Sequence, residues 1–172
     1  DENIERVRRQ NRNKISVITG NPPYNAWQED FTDDNPNQYY DRVDTRIKNT
    51  YVKRGTSKNK NTVYDMFTRF IRWASDRLPE EGVISFIIGW KTVAKGAYDG
   101  FRKCLEDEFS EILIMDLGGD VRDNHSLSGP KHNVCGIQTG VAIMFLVKKS
   151  SNTGKPNIGY FRFEEDELAE NK

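Results

Sequence analysis

"VYDMFTRFIRWASDRLPEEGVISFIIG", residues 63–89, changes its periodicity part-way along. In the first part Met66, Phe67, Phe70, Ile71, Ala74 and Leu78 recur at helical spacing with charged side chains opposite, which predicts an amphipathic helix over 63–78. "PEEG" closes it, and the apolar run 82–89 predicts a buried strand. Downstream, "AYDGFRKCLEDEF" (97–109) predicts a second helix and "EILIMDLGG" (111–119) a further strand. Upstream, the β-branched run "ISVITG" (15–20) predicts a buried strand closed by glycine. Strand, helix, strand, helix, strand is the order of a parallel α/β sheet with right-handed crossovers.

After that third strand comes "GGDVRDNHSLSGPKHNVCGIQTG", rich in glycine and polar residues, and then "VAIMFLVKK" (141–149), a fourth strand. With no helix between them, the third and fourth strands are expected to pair antiparallel. "NIGYFRF" adds an edge strand, and "EEDELAENK" reads as a frayed tail or the start of a helix. The charged opening "DENIERVRRQNRNK" reads as a helix or a frayed end. Residues 28–62 are polar and read mostly as an excursion over the mouth of the sheet, with a short helix in "YYDRVDTRIKNTY".

A length of 172 residues suits one domain or a piece of one. Twenty-six basic residues balance 26 acidic ones, so any nucleic-acid or membrane partner must be met by a local patch. Cys104 and Cys135 show neither disulfide-framework nor zinc-ligand spacing, which fits reduced thiols in the cytoplasm. No apolar leader opens the chain, and its longest apolar run is too short to span a bilayer.

The loop that follows the 15–20 strand, "NPPYN", carries the chemistry. In open α/β sheets the ligand crevice lies beyond the carboxyl ends of the strands, where this loop sits. The Asn21 side-chain oxygen and a proline carbonyl are two hydrogen-bond acceptors, and proline brings no competing N–H. Two adjacent acceptors suit one NH₂ group. An amino group on a heteroaromatic ring is a poor nucleophile because its lone pair is delocalised into the ring. Accepting hydrogen bonds from both its hydrogens favours a tetrahedral nitrogen able to attack an electrophilic carbon, without an obligatory side-chain base. Tyr24 offers a flat face for stacking, worth about 1–3 kcal/mol for a nucleobase, while Pro22 and Pro23 stiffen the backbone between the grips.

These residues resemble a known family. "VITGNPPYN" is similar to the catalytic motif of S-adenosylmethionine-dependent amino-methyltransferases, above all the adenine-N6 DNA methyltransferases of restriction-modification systems. The similarity runs through "YDMFTRFIRWASDRL", "GVISFII", "DLGGDVRDN" and "GIQTGVAIMFLVKK", in the manner of large helicase-like restriction-modification polypeptides, and covers nearly all of residues 5–149. It implies catalytic roles for Asn21, Pro22, Pro23 and Tyr24, acting on an adenine flipped out of the duplex. It also implies a Rossmann-like methyltransferase fold, α/β with a mostly parallel sheet and an antiparallel last strand. In that family the donor-binding glycine turn and its ribose-binding acidic residue precede the Asn-Pro-Pro-Tyr loop. Only 20 residues precede it here, and "DLGGD" (116–120) has glycines after a strand without a helix opening behind them.

The expectation is therefore the C-terminal half of a methyltransferase domain over 1–149, followed by an edge strand and the start of a further segment or tail over 150–172. The main S-adenosylmethionine-binding motif lies outside this chain, and the chain alone is expected to be inactive or a poor catalyst. Its expected partners are DNA and the donor-binding, target-recognition, helicase and nuclease parts of one longer polypeptide.

The resemblance also suggests a second stacking ring on the strand 141–149, where the aromatic is Phe145; a core role fits that position equally. Trp27 and Phe31 either line the pocket or simply pack. Residues 42–60 carry Arg42, Arg46, Lys48, Lys53, Arg54, Lys58 and Lys60 against one acid, Asp44, and form the best phosphate-binding candidate, set beside the loop. Arg42, Arg46, Lys53 and Arg54 are its leading members. His125, His132 and Cys135 share a loop, but their spacing fits no standard metal site, so no metal is expected. Ser126 and Ser128 lack a nucleophile-elbow context. The competing functions are methylation of an RNA guanine or a protein glutamine by the same loop, or a non-catalytic DNA-binding scaffold that keeps the motif as a relic.

Overall fold

A computed structural model describes residues 2–23, 39–58, 61–89, 94–118, 140–150, 154–164 and 167–171. Five strands form one sheet in the order β1-β2-β4-β3-β5: β1 Val17–Gly20, β2 Gly82–Gly89, β3 Glu111–Asp116, β4 Val141–Lys148 and β5 Asn157–Arg162. β1 runs parallel to β2, and β5 parallel to β3. β4 lies between β2 and β3 and is antiparallel to both, which is the antiparallel pairing of the third and fourth strands expected from the sequence. "NIGYFRF" forms the expected edge strand, and the acidic tail holds one 3₁₀ turn at Ala169–Asn171.

Among the described residues four α-helices accompany the sheet: α1 Glu2–Arg12, α2 Asp41–Ile47, α3 Met66–Arg77 and α4 Asp99–Glu108. The helix predicted over 63–78 starts later because Asp65 caps it, its carboxylate accepting from the Thr68 N–H at 2.8 Å. Residues 61–64 form a 3₁₀ turn before that cap. α3 and α4 cover one face of the sheet, where Ile84, Phe86, Ile88, Ile112, Met144 and Leu146 are buried. Phe101 of α4 centres an aromatic cluster, meeting Tyr51, Phe67 and Tyr98 edge-on at centroid distances of 5.1, 5.9 and 6.3 Å.

The opposite face differs from expectation. β1 has only Ile18 buried, and along β2, β3 and β4 the side chains Val83, Ile87, Met115, Ile143, Phe145 and Val147 are only half-buried. The physical reason is that no described element lies over them.

The segment 39–56 is the second departure. It packs on α3 and α4, with Ile47 and Tyr51 fully in the core, and does not arch over the mouth of the sheet. After α2 the chain continues through a π-helical turn, Lys48–Val52, where the Thr50 hydroxyl bonds to the Arg46 carbonyl at 2.7 Å. Its far end is clamped to α4: the Thr56 N–H and hydroxyl donate to Asp99 at 2.9 and 2.8 Å, which holds that carboxyl below the usual range. Gly55 and Gly100 make the close approach possible. A Cβ on Gly100 would stand 2.0 Å from the Tyr51 carbonyl oxygen and 2.4 Å from the Gly55 nitrogen, both backbone atoms that cannot swing aside. Gly100→Ala is therefore expected to cost about 1–3 kcal/mol, read as a lower midpoint in urea denaturation.

At the amino ends of the strands, Arg77 holds α1 to the body. Its guanidinium donates to the carbonyls of Gln10, Asn11 and Asn13 at 2.8, 3.1 and 3.0 Å, capping the last turn of α1. Nearby, Asp76 accepts from Arg46 at 2.8 and 3.0 Å and from Arg72 at 2.7 Å. Burial opposes the Asp76 charge, but the two guanidinium groups outweigh it and hold the carboxyl below its ordinary value. A depressed folded value means the stabilisation is complete above about pH 4 and fades as pH falls through the lowered value. The stability gap between the parent and Asp76→Asn is expected to be constant above about pH 5 and to close in more acid buffers, as urea titrations would read.

Candidate active site

The loop that opens the site leaves β1 at Gly20, which is in register with Phe86 of β2. A Cβ on Gly20 would lie 3.3 Å from the Phe86 ring, so glycine lets the strand end lie close over that ring. Asn21 and Pro23 are exposed and Pro22 is buried, so the asparagine is presented on an anchored proline. This is the carboxyl end of a parallel strand, the position at which α/β sheets bind ligands. Tyr24, Trp27 and Phe31 lie outside the described residues, as do His125, Ser126, Ser128, His132 and Cys135.

Two buried carboxylates that the sequence reading did not single out flank the same end of the sheet. Asp116 closes β3 with 1% of its surface exposed, accepting from the Gly118 N–H at 2.9 Å and the Tyr160 hydroxyl at 2.8 Å and pairing with Arg162 at 3.4 Å. Gly118 has a φ of 63°, which glycine adopts without strain. Asp65, at the N-terminus of α3, accepts from the Tyr98 hydroxyl at 2.5 Å as well as from Thr68. Burial raises the Asp65 carboxyl despite those hydrogen bonds, and burial together with Asp65 raises the Tyr98 hydroxyl. The sequence signal for both was available, an aspartate at a strand end before Leu-Gly-Gly and an aspartate before an apolar helix. Each carboxylate is already engaged by protein donors. Among the described residues no cluster fits a metal ion.

Phe145 is not at the mouth. It sits mid-strand in β4, between Ser85 and Leu113, on the uncovered face. Thr19 of β1 shares its row, which puts Asn21 roughly 12 Å away at ordinary strand spacings. The basic residues are likewise separated from one another. Arg46 pairs with Asp76, and Arg42 borders Asn11, Lys14 and Trp73, at the amino ends of the strands opposite Asn21. Arg54 pairs with Asp107. Lys53 lies just before the Gly55–Thr56 clamp at the N-terminus of α4, the carboxyl side of the sheet.

A mixed α/β sheet with one antiparallel strand between parallel ones, and an Asn-Pro-Pro turn at a strand's carboxyl end, defines part of a Rossmann-like S-adenosylmethionine-dependent methyltransferase fold. The model of the Eco57I restriction-modification methylase family matches residues 1–121, and the chain belongs to that family. It is similar to three solved enzymes. The ATP-dependent Type ISP restriction-modification enzyme LlaBIII bound to DNA is 37% identical over 93% of this chain and 11% of its own, with a TM-score of 0.81. DrdV, solved in complex with DNA, is 38% identical over 94% of this chain and 16% of its own, with a TM-score of 0.77. A nuclease-deletion mutant of the Type ISP enzyme LlaGI, in complex with a DNA substrate mimic, is 35% identical over 94% and 16%, with a TM-score of 0.78. The chain thus spans a small share of these relatives' length. No curated protein matches it. No helix among the described residues is long and apolar enough to cross a membrane.

Proposed function

We propose that this chain is the C-terminal, acceptor-binding half of an adenine-N6 DNA methyltransferase within a longer restriction-modification polypeptide. The observation that carries the reading is the presentation of Asn21 on buried Pro22 at the carboxyl end of β1. There the Asn21 side-chain oxygen and a proline carbonyl accept both hydrogens of the adenine amino group. Tyr24 stacks on the flipped base, and the amino nitrogen is left with a lone pair directed at the methyl donor. Membership of a methylase family implies S-adenosylmethionine as that donor. On this reading a preceding part of the polypeptide supplies the main donor-binding motif.

DNA as the substrate is supported by the DNA-bound state of the similar enzymes. On this reading Lys53 approaches phosphates near the mouth, Arg54 is drawn by Asp107 towards the amino end of β3, and Arg42 and Arg46 meet nucleic acid only on the opposite side of the sheet. Phe145 is given no part in stacking. The test is transfer of label from S-adenosylmethionine by the full-length polypeptide, followed by nucleoside analysis. Labelled N6-methyladenine in DNA is expected; label in RNA guanine or protein glutamine, or none, overturns the proposal.

A further inference from the structure

Gly20 is the last residue of β1 to pair with β2, and Asn21 follows it directly. Two ordinary reasons for a glycine there are absent. Its φ is not left-handed, Gly118 being the only described glycine in that region. Among the described residues no backbone atom stands within 4 Å of the place its Cβ would take. What stands there is a ring, with Cε1 and Cδ1 of Phe86 at 3.3 and 3.6 Å. The ring is held from its other sides. Phe86 is 2% exposed, in register with Met144 of β4 and flanked on its own strand face by Ile84 and Ile88, all fully buried. The neighbouring row, Ile18, Ile84, Leu146 and Ile112, carries an aliphatic side chain on every strand. In the Phe86 row the place on β1 is empty and the ring fills it, as aromatic side chains do beside a glycine on the next strand.

We propose that Phe86 is a positioning residue for methyl transfer, its ring being the seat that sets the height and tilt of Asn21 through Gly20; the inference rests on the reading of Asn21 as an acceptor for the adenine amino group. Buried in the core, the ring acts only through the backbone above it. Asn21 is exposed and Pro22 buried, so the turn pivots on Gly20, where strand pairing ends and the ring begins. Hydrogen bonds weaken steeply with length and angle, and a misplacement of about 1 Å at a reacting group costs about 10²-fold in rate. Leucine lacks the Cε1 edge that meets Gly20, so Phe86→Leu lets the turn settle towards the core. Gly20→Ala acts in the other direction. Its methyl group would be tighter against the ring than ordinary contact allows, and the ring is boxed in by Met144, Ile84 and Ile88, so the end of β1 must rise.

The test measures single-turnover methyl transfer by the full-length polypeptide at saturating S-adenosylmethionine, on a DNA that the parent methylates. DNA affinity and melting temperature are read on the same preparations. Phe86→Leu is expected to slow transfer at least about tenfold while the Kd for DNA stays within about twofold. The same change made in Asn21→Ala is expected to slow transfer by less than about twofold further, because a residue that acts through Asn21 then has nothing left to position. A smaller loss in the parent, a loss carried by DNA affinity, or a larger further loss in the Asn21→Ala background overturns the inference. If Phe86→Leu melts below the assay temperature, Gly20→Ala, which keeps the core ring, decides by the same comparisons, with slowing of at least about fivefold expected. A parent that methylates no DNA overturns the assigned function and this inference with it, whereas an active parent with unaffected variants overturns this inference alone.

Discussion

Asn21→Ala in the full-length polypeptide is expected to lower the single-turnover rate of methyl transfer by about 10²–10³-fold, the usual loss when one preorganised polar partner of a reacting group is removed. The argument is local. The amino nitrogen becomes nucleophilic only while both its hydrogens are held, and alanine leaves one of them without its acceptor. Asn21 is exposed at the end of a strand, so the melting temperature of the variant, measured alongside, separates loss of the reaction from loss of the fold. Asn21→Asp retains an acceptor oxygen and should lose less. An unchanged rate for the alanine variant removes Asn21 from the reaction.

Arg72→Ala is expected to have the largest effect on stability. Arg72 is 2% exposed, yet it sits on the helix face that packs against α4 and the 48–52 turn. Its guanidinium donates to both Glu108 oxygens at 2.6 and 3.0 Å and to Asp76 at 2.7 Å, and it lies over the Tyr51 ring at 5.5 Å. Ser75 bonds to the same Glu108 carboxylate. Burial alone would lower the arginine's affinity for its proton; the carboxylates more than reverse this, so the group stays charged. Removing it leaves Glu108 to the Ser75 hydroxyl without a guanidinium partner, leaves Asp76 to Arg46, and opens a cavity against Tyr51. Breaking a fully buried pair costs about 3–5 kcal/mol. Glu108 and Asp76 keep 24% and 33% of their side-chain surface in water, so the expected loss here is about 2–4 kcal/mol. That corresponds to a fall in Tm of roughly 5–15 °C for a chain of this size. Calorimetry checks it, and a fall of under about 2 °C would mean that the network contributes little. Arg72→Met, which fills the space without the charge, separates the lost packing from the lost pairing.

In the sequence, Arg72 looked like a solvent-facing charge opposite an apolar stripe. Periodicity distinguishes the faces of a helix but does not reveal that a third layer, the 39–56 segment, lies over the polar one. The same limit explains the basic residues. Arg42, Arg46, Lys53 and Arg54 look like one patch along the chain, but the helix they share rotates and translates them, and two are neutralised by Asp76 and Asp107. Phe145 was open between stacking and core because strand alternation leaves two registers. Pairing with Ser85 and Leu113 sets it mid-sheet, away from Asn21.

What the sequence determined by itself was local: which segments are helix or strand, where α3 and α4 fall, the antiparallel course of β4, and the turn that carries Asn21, Pro22 and Pro23. Propensity, apolar period and the lack of a helical sequence pattern before Val141 act over a few residues, and the chain displays them directly. Only the tertiary structure decided which strands are neighbours, which charges meet, and which side chains of the sheet lie under α3 and α4. Those depend on contacts between residues far apart in the chain, whose geometry is set once the layers have packed.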